Sequence, residues 1–295
     1  MTSAMPVAPS EFDWGAEGVG AAVRRVLDAA GTSSVNEAAL LELRNHGLRR
    51  ASLWVVRSGD TVAGFALARQ VGGTTEVDLV VSPKSRGHGL GSTLADAVLA
   101  ELDGPVSAWS HGNHPAAAAL AASRGFARER DLWVMRRPLS SVPSPREVPD
   151  LVVRPFEPGR DEDAFLALNA AAFAHHPEQG SMSRAALDER MAEPWFDPAG
   201  FFLADRDGAL LGFHWTKVHD APPAGEIYVL GVSPSAQGMG LGKVLALTGL
   251  AYLRSRGLES VLLYVEADNA AAVALYEGIG FTHAPEDTDV QYLRR

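Results

Sequence analysis

The chain has 295 residues, about twice the usual length of one domain, so two domains of about 140–150 residues are expected. Apolar residues make up 46% and charged residues 21%, a globular balance, and the absence of cysteine excludes disulfides, thiolate-bound zinc and a cysteine nucleophile. A net charge of −10 argues against nucleic acid or an anionic membrane as partner, and with no leader-like start and no apolar run near about 18 residues a cytoplasmic protein is expected.

Taken in chain order, LWVVRSGDTVAGFALAR (53–69) predicts a hairpin turning at Gly59-Asp60. Glu76–Val81 predicts a strand, followed by a glycine-rich turn and a helix on which Leu90, Leu94, Val98 and Leu102 keep helical spacing, with Gly104 as a stop. SAWS (107–110) predicts another strand, and an alanine-rich helix then leads to the pair Gly125-Phe126. Four prolines between Arg136 and Pro149 predict an extended connector.

Beyond it the order repeats. FLADRDGALLGFHWTKV (202–218) predicts a hairpin at Asp207-Gly208, and Glu226–Val232 a strand. A second glycine-rich turn, a helix carrying Leu241, Leu245 and Tyr252 with Gly257 as a stop, a strand at 260–267 and an alanine-rich helix before Gly280-Phe281 follow. LVVSPKSRGHGLG (79–91) and LGVSPSAQGMGLG (230–242) lie 151 positions apart, and the two Gly-Phe pairs 155 apart. This is a duplicated domain with alternating strands and helices, hence α/β. The division expected is 1–139, a linker at 140–150, and 151–295.

A glycine-rich turn from strand to helix is an anion site, because outward backbone N–H groups and the helix N-terminus favour negative charge. The spacing fails both the dinucleotide fingerprint and the phosphate-binding lysine loop. What fits is Gln/Arg-x-x-Gly-x-Gly/Ala, met at Arg86–Gly91 and Gln237–Gly242. This resembles the pyrophosphate loop of the GNAT superfamily of N-acetyltransferases, which holds the diphosphate of coenzyme A. The resemblance implies two tandem GNAT (acyl-CoA N-acyltransferase) domains, each a mixed central sheet flanked by helices. It implies acetyl-CoA as co-substrate, held by Gly87, His88, Gly89, Leu90, Gly91 and Ser92 in the first copy. In the second copy Gln237, Gly238, Met239, Gly240, Leu241, Gly242 and Lys243 would hold it. The preceding strands, Leu79, Val80 and Val81 and then Leu230, Gly231 and Val232, would pair with the pantetheine amides.

HPEQG (176–180), WFDPAG (195–200), LLGFHWTKVH (210–219), GEIYVLGVSP (225–234) and LLYVEADNAAAVALYEGIGF (262–281) narrow the likeness. They resemble the mycothiol synthase family of tandem acetyltransferases, which acetylate the cysteinyl amine of desacetylmycothiol. VNEAALLEL (35–43) carries a looser likeness in the first half. By this resemblance Glu226 is the general base, and Glu37, Glu178, Lys217, Tyr264 and Glu226 contact the acceptor. Tyr276 would protonate the leaving thiolate, and Asn269 is a coenzyme A contact, a helix cap, or both. Read without the family, Glu226 is a strand-edge glutamate, Tyr276 a core residue and Glu37 a first-turn helix residue. Strand alternation puts Glu226, Tyr228 and Leu230 on one face.

Counting back 151 from Glu226 reaches Thr75, with Glu76 on the opposite face unless a bulge intervenes; counting back 155 from Tyr276 reaches Ala121. The first copy is therefore expected to bind coenzyme A without catalysing. His175, His176 and Glu178 lack a fourth metal partner, and His214 and His219, five apart in a strand, face opposite ways, so no metal is expected. The expected partner is a small molecule, with no nucleic acid, no membrane and a monomeric chain. The alternatives are a tandem acetyltransferase for another amine, such as an aminoglycoside or a protein N-terminus, and an acetyl-CoA-binding sensor.

Overall fold

The computed structural model describes residues 3–31, 34–174, 179–220 and 222–295. The chain forms two compact units, 1–131 with 285–295 and 132–284. Unit 1 holds β1 (Ala4–Val7), α1 (Val19–Ala30), α2 (Glu37–His46), β2 (Ala51–Ser58), β3 (Thr61–Val71), β4 (Thr74–Val81), α3 (Leu90–Leu99), β5 (Val106–Ser110) and α4 (Pro115–Ala122). The strand β6 (Ala127–Pro138) passes into unit 2, which holds β7 (Val152–Pro155), α5 (Glu162–Ala172), α6 (Arg184–Met191), β8 (Phe201–Arg206), β9 (Ala209–Asp220), β10 (Pro223–Val232), α7 (Leu241–Ser255), β11 (Ser260–Glu266) and α8 (Ala270–Glu277). The last strand, β12 (Thr282–Arg294), returns to unit 1 at Pro285.

The units share one strand plan. In unit 1, β1 to β4 pair antiparallel in sequence, β4 pairs parallel with β5, and β5 pairs antiparallel with β12. In unit 2, β7 to β10 pair antiparallel, β10 pairs parallel with β11, and β11 pairs antiparallel with β6. Each parallel pair needs a crossover, supplied by α3 and by α7. The second hairpin turns where Asp207 and Gly208 both have positive φ, 54° and 77°, the geometry that matches strand twist.

The expected cut into 1–139 and 151–295 misses the strand exchange. Residues 132–138 of β6 pair with β11, while Val290–Arg294 of β12 pair with β5, so each unit closes its parallel pair with a strand from the other half of the sequence. An open strand edge has to be paired or covered, and strand sequence alone does not say which edge it will take. Residues 141–148 run without helix or strand.

Both sheet faces are covered. In unit 1, Val23, Val26 and Leu27 of α1 pack with Phe65 and Leu67, and Leu90, Leu94 and Val98 of α3 pack on the other face with Ala66 and Val77. In unit 2, Phe165 of α5 meets Phe201, Phe213 and Trp215, while Leu247, Leu250 and Leu253 of α7 meet Ile227, Val261 and Leu263.

Candidate active site

The site grows from the parallel pair of unit 2. β10 and β11 stay paired for only three residues, Gly225 to Ile227 against Val261 to Leu263, and then part. On its other side β10 pairs with β9 throughout, but the register slips between Ile227 and Val229, passing over Tyr228. This is a β-bulge, and it corrects the expected face pattern. Tyr228 and Val229 both join the aromatic cluster of Phe165 and Trp215. Leu230 instead turns to the α7 side, with Leu241 and Leu245. Glu226 and Leu230 therefore do not share a face.

Glu226 is buried, at 5% exposure. It stands opposite Lys217 on β9, and His219, two residues on along the same face, brings Nε2 to 2.6 Å from Glu226 Oε2. The ammonium of Lys217 lies over the rings of Trp195 (4.7 Å) and Tyr228 (5.2 Å), a cation–π arrangement. Arg190 Nε donates to the Tyr228 hydroxyl at 2.9 Å. In the sequence His219 stands out only as a metal ligand that strand alternation excludes, and nothing there marks Arg190. The signal available for His219 was period-two alternation from Lys217, which becomes usable once the register is known. His214 points the other way, with Nδ1 2.8 Å from the Leu245 carbonyl oxygen. Burial pulls its imidazole down to about 4. Among the described residues no group of histidines and carboxylates is placed to hold a metal ion.

Next comes the glycine turn. Gly238 and Gly240 have φ of 78° and 77°, a conformation costly for any other residue, and Gly240 caps the fifteen-residue helix α7. A Cβ at Gly242 would sit 3.3 Å from Leu275 and 3.9 Å from Leu230 and Val232, so the missing side chain lets α7 settle on the strand end. Gly238, Gly240 and Lys243 line a cavity of about 890 Å³. The turn, the helix N-terminus and the splayed strand fit a phosphorylated, amide-bearing cofactor. Leu230, Gly231 and Val232 form the free stretch of β10 beyond its pairing with β11, and Gln237, Met239 and Leu241 complete the turn.

Tyr276 lies near the end of α8 and is buried at 7% exposure among Ile279, Phe281 and Leu263. Burial pushes its phenol pKa well above the ordinary value, so it keeps its proton. Asn269 caps α8, its side-chain oxygen accepting from the Ala272 N–H at 3.1 Å. Tyr264 is 43% exposed on β11. Glu37 is the first residue of α2, in unit 1. Glu178, with His175 and His176, lies outside the described residues.

Unit 1 builds the same frame with a different interior. Its parallel pair is also three residues long, Thr75 to Val77 against Val106 to Ala108, and β4 has no bulge. Superposing the two pairs sets Glu76, opposite Arg69, where unit 2 has Glu226 opposite Lys217. The bulge accounts for the one-residue error in the expected match to Thr75, so unit 1 does possess the carboxylate. That carboxylate is saturated. Glu76 pairs with Arg69 and accepts from Asn36 Nδ2 at 2.7 Å and Trp109 Nε1 at 3.2 Å.

The counterpart of Tyr276 is Ala121, fixed by one shared bond: Phe126 N–H donates to the Ala121 carbonyl at 3.1 Å as Phe281 N–H does to Tyr276 at 3.0 Å. Gly87 and Gly89 both have φ of 78°, and a Cβ on Gly91 would stand 3.9 Å from Leu79, Val81 and Leu120. A cavity of about 570 Å³ gathers Leu79, Val80, Val81, Gly89, Leu90 and Ser92. His88 lies within the turn between Gly87 and Gly89.

The profile of the Acetyltransferase (GNAT) family matches the chain at residues 21–126 and again at 167–281. A mycothiol acetyltransferase of a Nocardioides species is 52% identical over 293 residues, covering 93% of this chain and 96% of that protein. A mycothiol acetyltransferase of Thermobispora bispora is 52% identical over 285 residues, covering 94% and 95%. Among solved structures, a tandem GNAT protein from the clavulanic acid biosynthesis pathway superposes with a TM-score of 0.72 at 20% identity, covering 100% and 98%. A GCN5-related N-acetyltransferase from Sphaerobacter thermophilus gives 0.68 at 23% identity, covering 99% and 95%.

Proposed function

The chain belongs to the GNAT acetyltransferases and, within them, to the mycothiol acetyltransferase family, and on that footing we propose that unit 2 acetylates the cysteinyl amine of desacetylmycothiol through Glu226 and Tyr276. The observation that carries this reading is a buried carboxylate with one histidine partner, set where β10 and β11 part.

Acetyl-CoA supplies the acetyl group as a thioester. The turn from Gly238 to Lys243 would hold its diphosphate, and the free edge of Leu230 to Val232 its pantetheine amides. An α-amine has a reference pKa of about 7.7–8.0, so the acceptor nitrogen gives up its proton to Glu226 Oε with a modest base. His219 aims that carboxylate. Tyr276, kept protonated by burial, gives a proton to the departing sulfur. Lys217 and Tyr264 would contact the acceptor, and Glu37 and Glu178 belong to the same proposal.

In unit 1, Arg69, Asn36 and Trp109 occupy the carboxylate and Ala121 has no proton to give, so that unit would bind cofactor without turning it over. The test is incubation of the purified chain with acetyl-CoA and desacetylmycothiol, scored by mass of the product because the acceptor carries its own thiol. A mass gain of one acetyl group is expected. A chain that acetylates an aminoglycoside or a peptide N-terminus but not desacetylmycothiol would overturn the acceptor.

A further inference from the structure

We propose that Arg146, on the proline-rich segment between the sequence halves, binds the diphosphate of coenzyme A at the unit 2 turn and makes that segment the outer wall of the cofactor groove. The inference rests on reading the Gly238–Lys243 turn as a coenzyme A cradle.

The segment is tied down where it begins. Arg137 donates to the carbonyl oxygens of Ile279 and Ser141, and to that of Pro138 at 3.1 Å. Pro143 and Ser144 then line the same cavity as Gly238, Gly240 and Lys243. At the end of this run the Arg146 guanidinium donates to the Met239 carbonyl, in the middle of the turn. Its Nη2 stands 2.5 Å from where a Cβ on Gly240 would be. A side chain at position 240 would therefore collide with the guanidinium, quite apart from the left-handed backbone there.

Charge makes this placement informative. The N-terminus of α7 carries a partial positive charge, and Lys243 lies in its first turn. Arg137 and Arg146 line the same cavity and bring the positive groups there to four. Neither Arg146 nor Lys243 has a carboxylate at ion-pair distance among the described residues. Positive groups gathered without a counter-charge repel, and an anion of two or more charges between them reverses the sign. A guanidinium offers a planar fork that meets two phosphate oxygens together. In unit 1 an arginine of the corresponding cavity, Arg124, is already committed to Asp96 at 3.0 Å.

The experiment is calorimetric titration of the full chain with coenzyme A, dephospho-coenzyme A and pantetheine, for wild type, R146A and R146K, alongside the KM for acetyl-CoA. A charge-assisted pair to phosphate predicts that R146A weakens one binding site about ten- to thirtyfold for both nucleotides and leaves pantetheine unchanged. R146K recovers part of the loss, and the KM for acetyl-CoA rises by the same factor with kcat held within about twofold. Unchanged nucleotide affinity in R146A, or an equal loss for pantetheine, overturns the role of Arg146. A loss for coenzyme A that is absent with dephospho-coenzyme A overturns the diphosphate assignment in favour of the 3′-phosphate. Wild-type protein that binds pantetheine as tightly as coenzyme A would instead sink the cradle reading itself, and the inference with it.

Discussion

His219 Nε2 lies 2.6 Å from Glu226 Oε2 across the β9–β10 ladder, two residues along from the directly paired Lys217. The diagonal leaves Lys217 over two aromatic rings and gives the buried carboxylate a donor that aims it. Removing the imidazole should then misplace the proposed base without touching the Gly238–Lys243 turn. H219A is expected to lower kcat about tenfold or more, with the KM for acetyl-CoA unchanged in steady-state kinetics. H219Q, which retains a donor, should recover part of the rate.

Y276F keeps the ring that packs against Phe281 and removes only the hydroxyl. It should lower kcat about ten- to a hundredfold with a melting temperature close to wild type. If the rate is unchanged while desacetylmycothiol is turned over, the phenol is a core residue and water serves the thiolate.

Arg69 and Glu76 are 10% and 4% exposed. Removing the cation leaves a buried, uncompensated carboxylate, so R69M should destabilise the protein by about 3 kcal/mol or more in chemical denaturation.

Two buried groups oppose each other in acid. Burial lowers the His214 pKa from 6.5 to about 4. The unfolded chain therefore takes up a proton that the folded one refuses, and stability falls as pH drops from about 6.5 towards 4. Burial likewise raises Asp78 from 3.8 to about 6, with Arg69 opposing that shift. The folded chain then takes up the proton first, and stability is gained as pH drops from about 6 towards 4. D78N removes the gain, so its thermal unfolding should show a steeper loss between pH 6 and 4 than wild type.

Much of this was legible from the chain. The repeat offsets, the two glycine turns, the Asp207-Gly208 hairpin and the α/β alternation all follow from local residue patterns, and the structure has each. The bulge was hidden because EIYVLGV is a run of strand formers in which no residue marks the slip at Tyr228, and that slip decides whether Glu226 matches Thr75 or Glu76. The exchange of β6 and β12 was hidden because DLWVMRRP and DVQYLR are strand-like wherever they pair. Glu226–His219 and Arg146–Met239 depend on register and on the path of an irregular segment, neither of which residue spacing encodes.

One working site per chain requires that two glutamates at the same register position, Glu226 and Glu76, differ in what they can do. The most direct measurement is single-turnover acetylation of desacetylmycothiol by E226Q and E76Q against wild type. The expected result is a loss of about a hundredfold or more for E226Q and a rate within about twofold of wild type for E76Q. An E226Q protein that keeps the wild-type rate would show that Glu226 is not the base, and a comparable loss in E76Q would show that unit 1 also takes part in turnover.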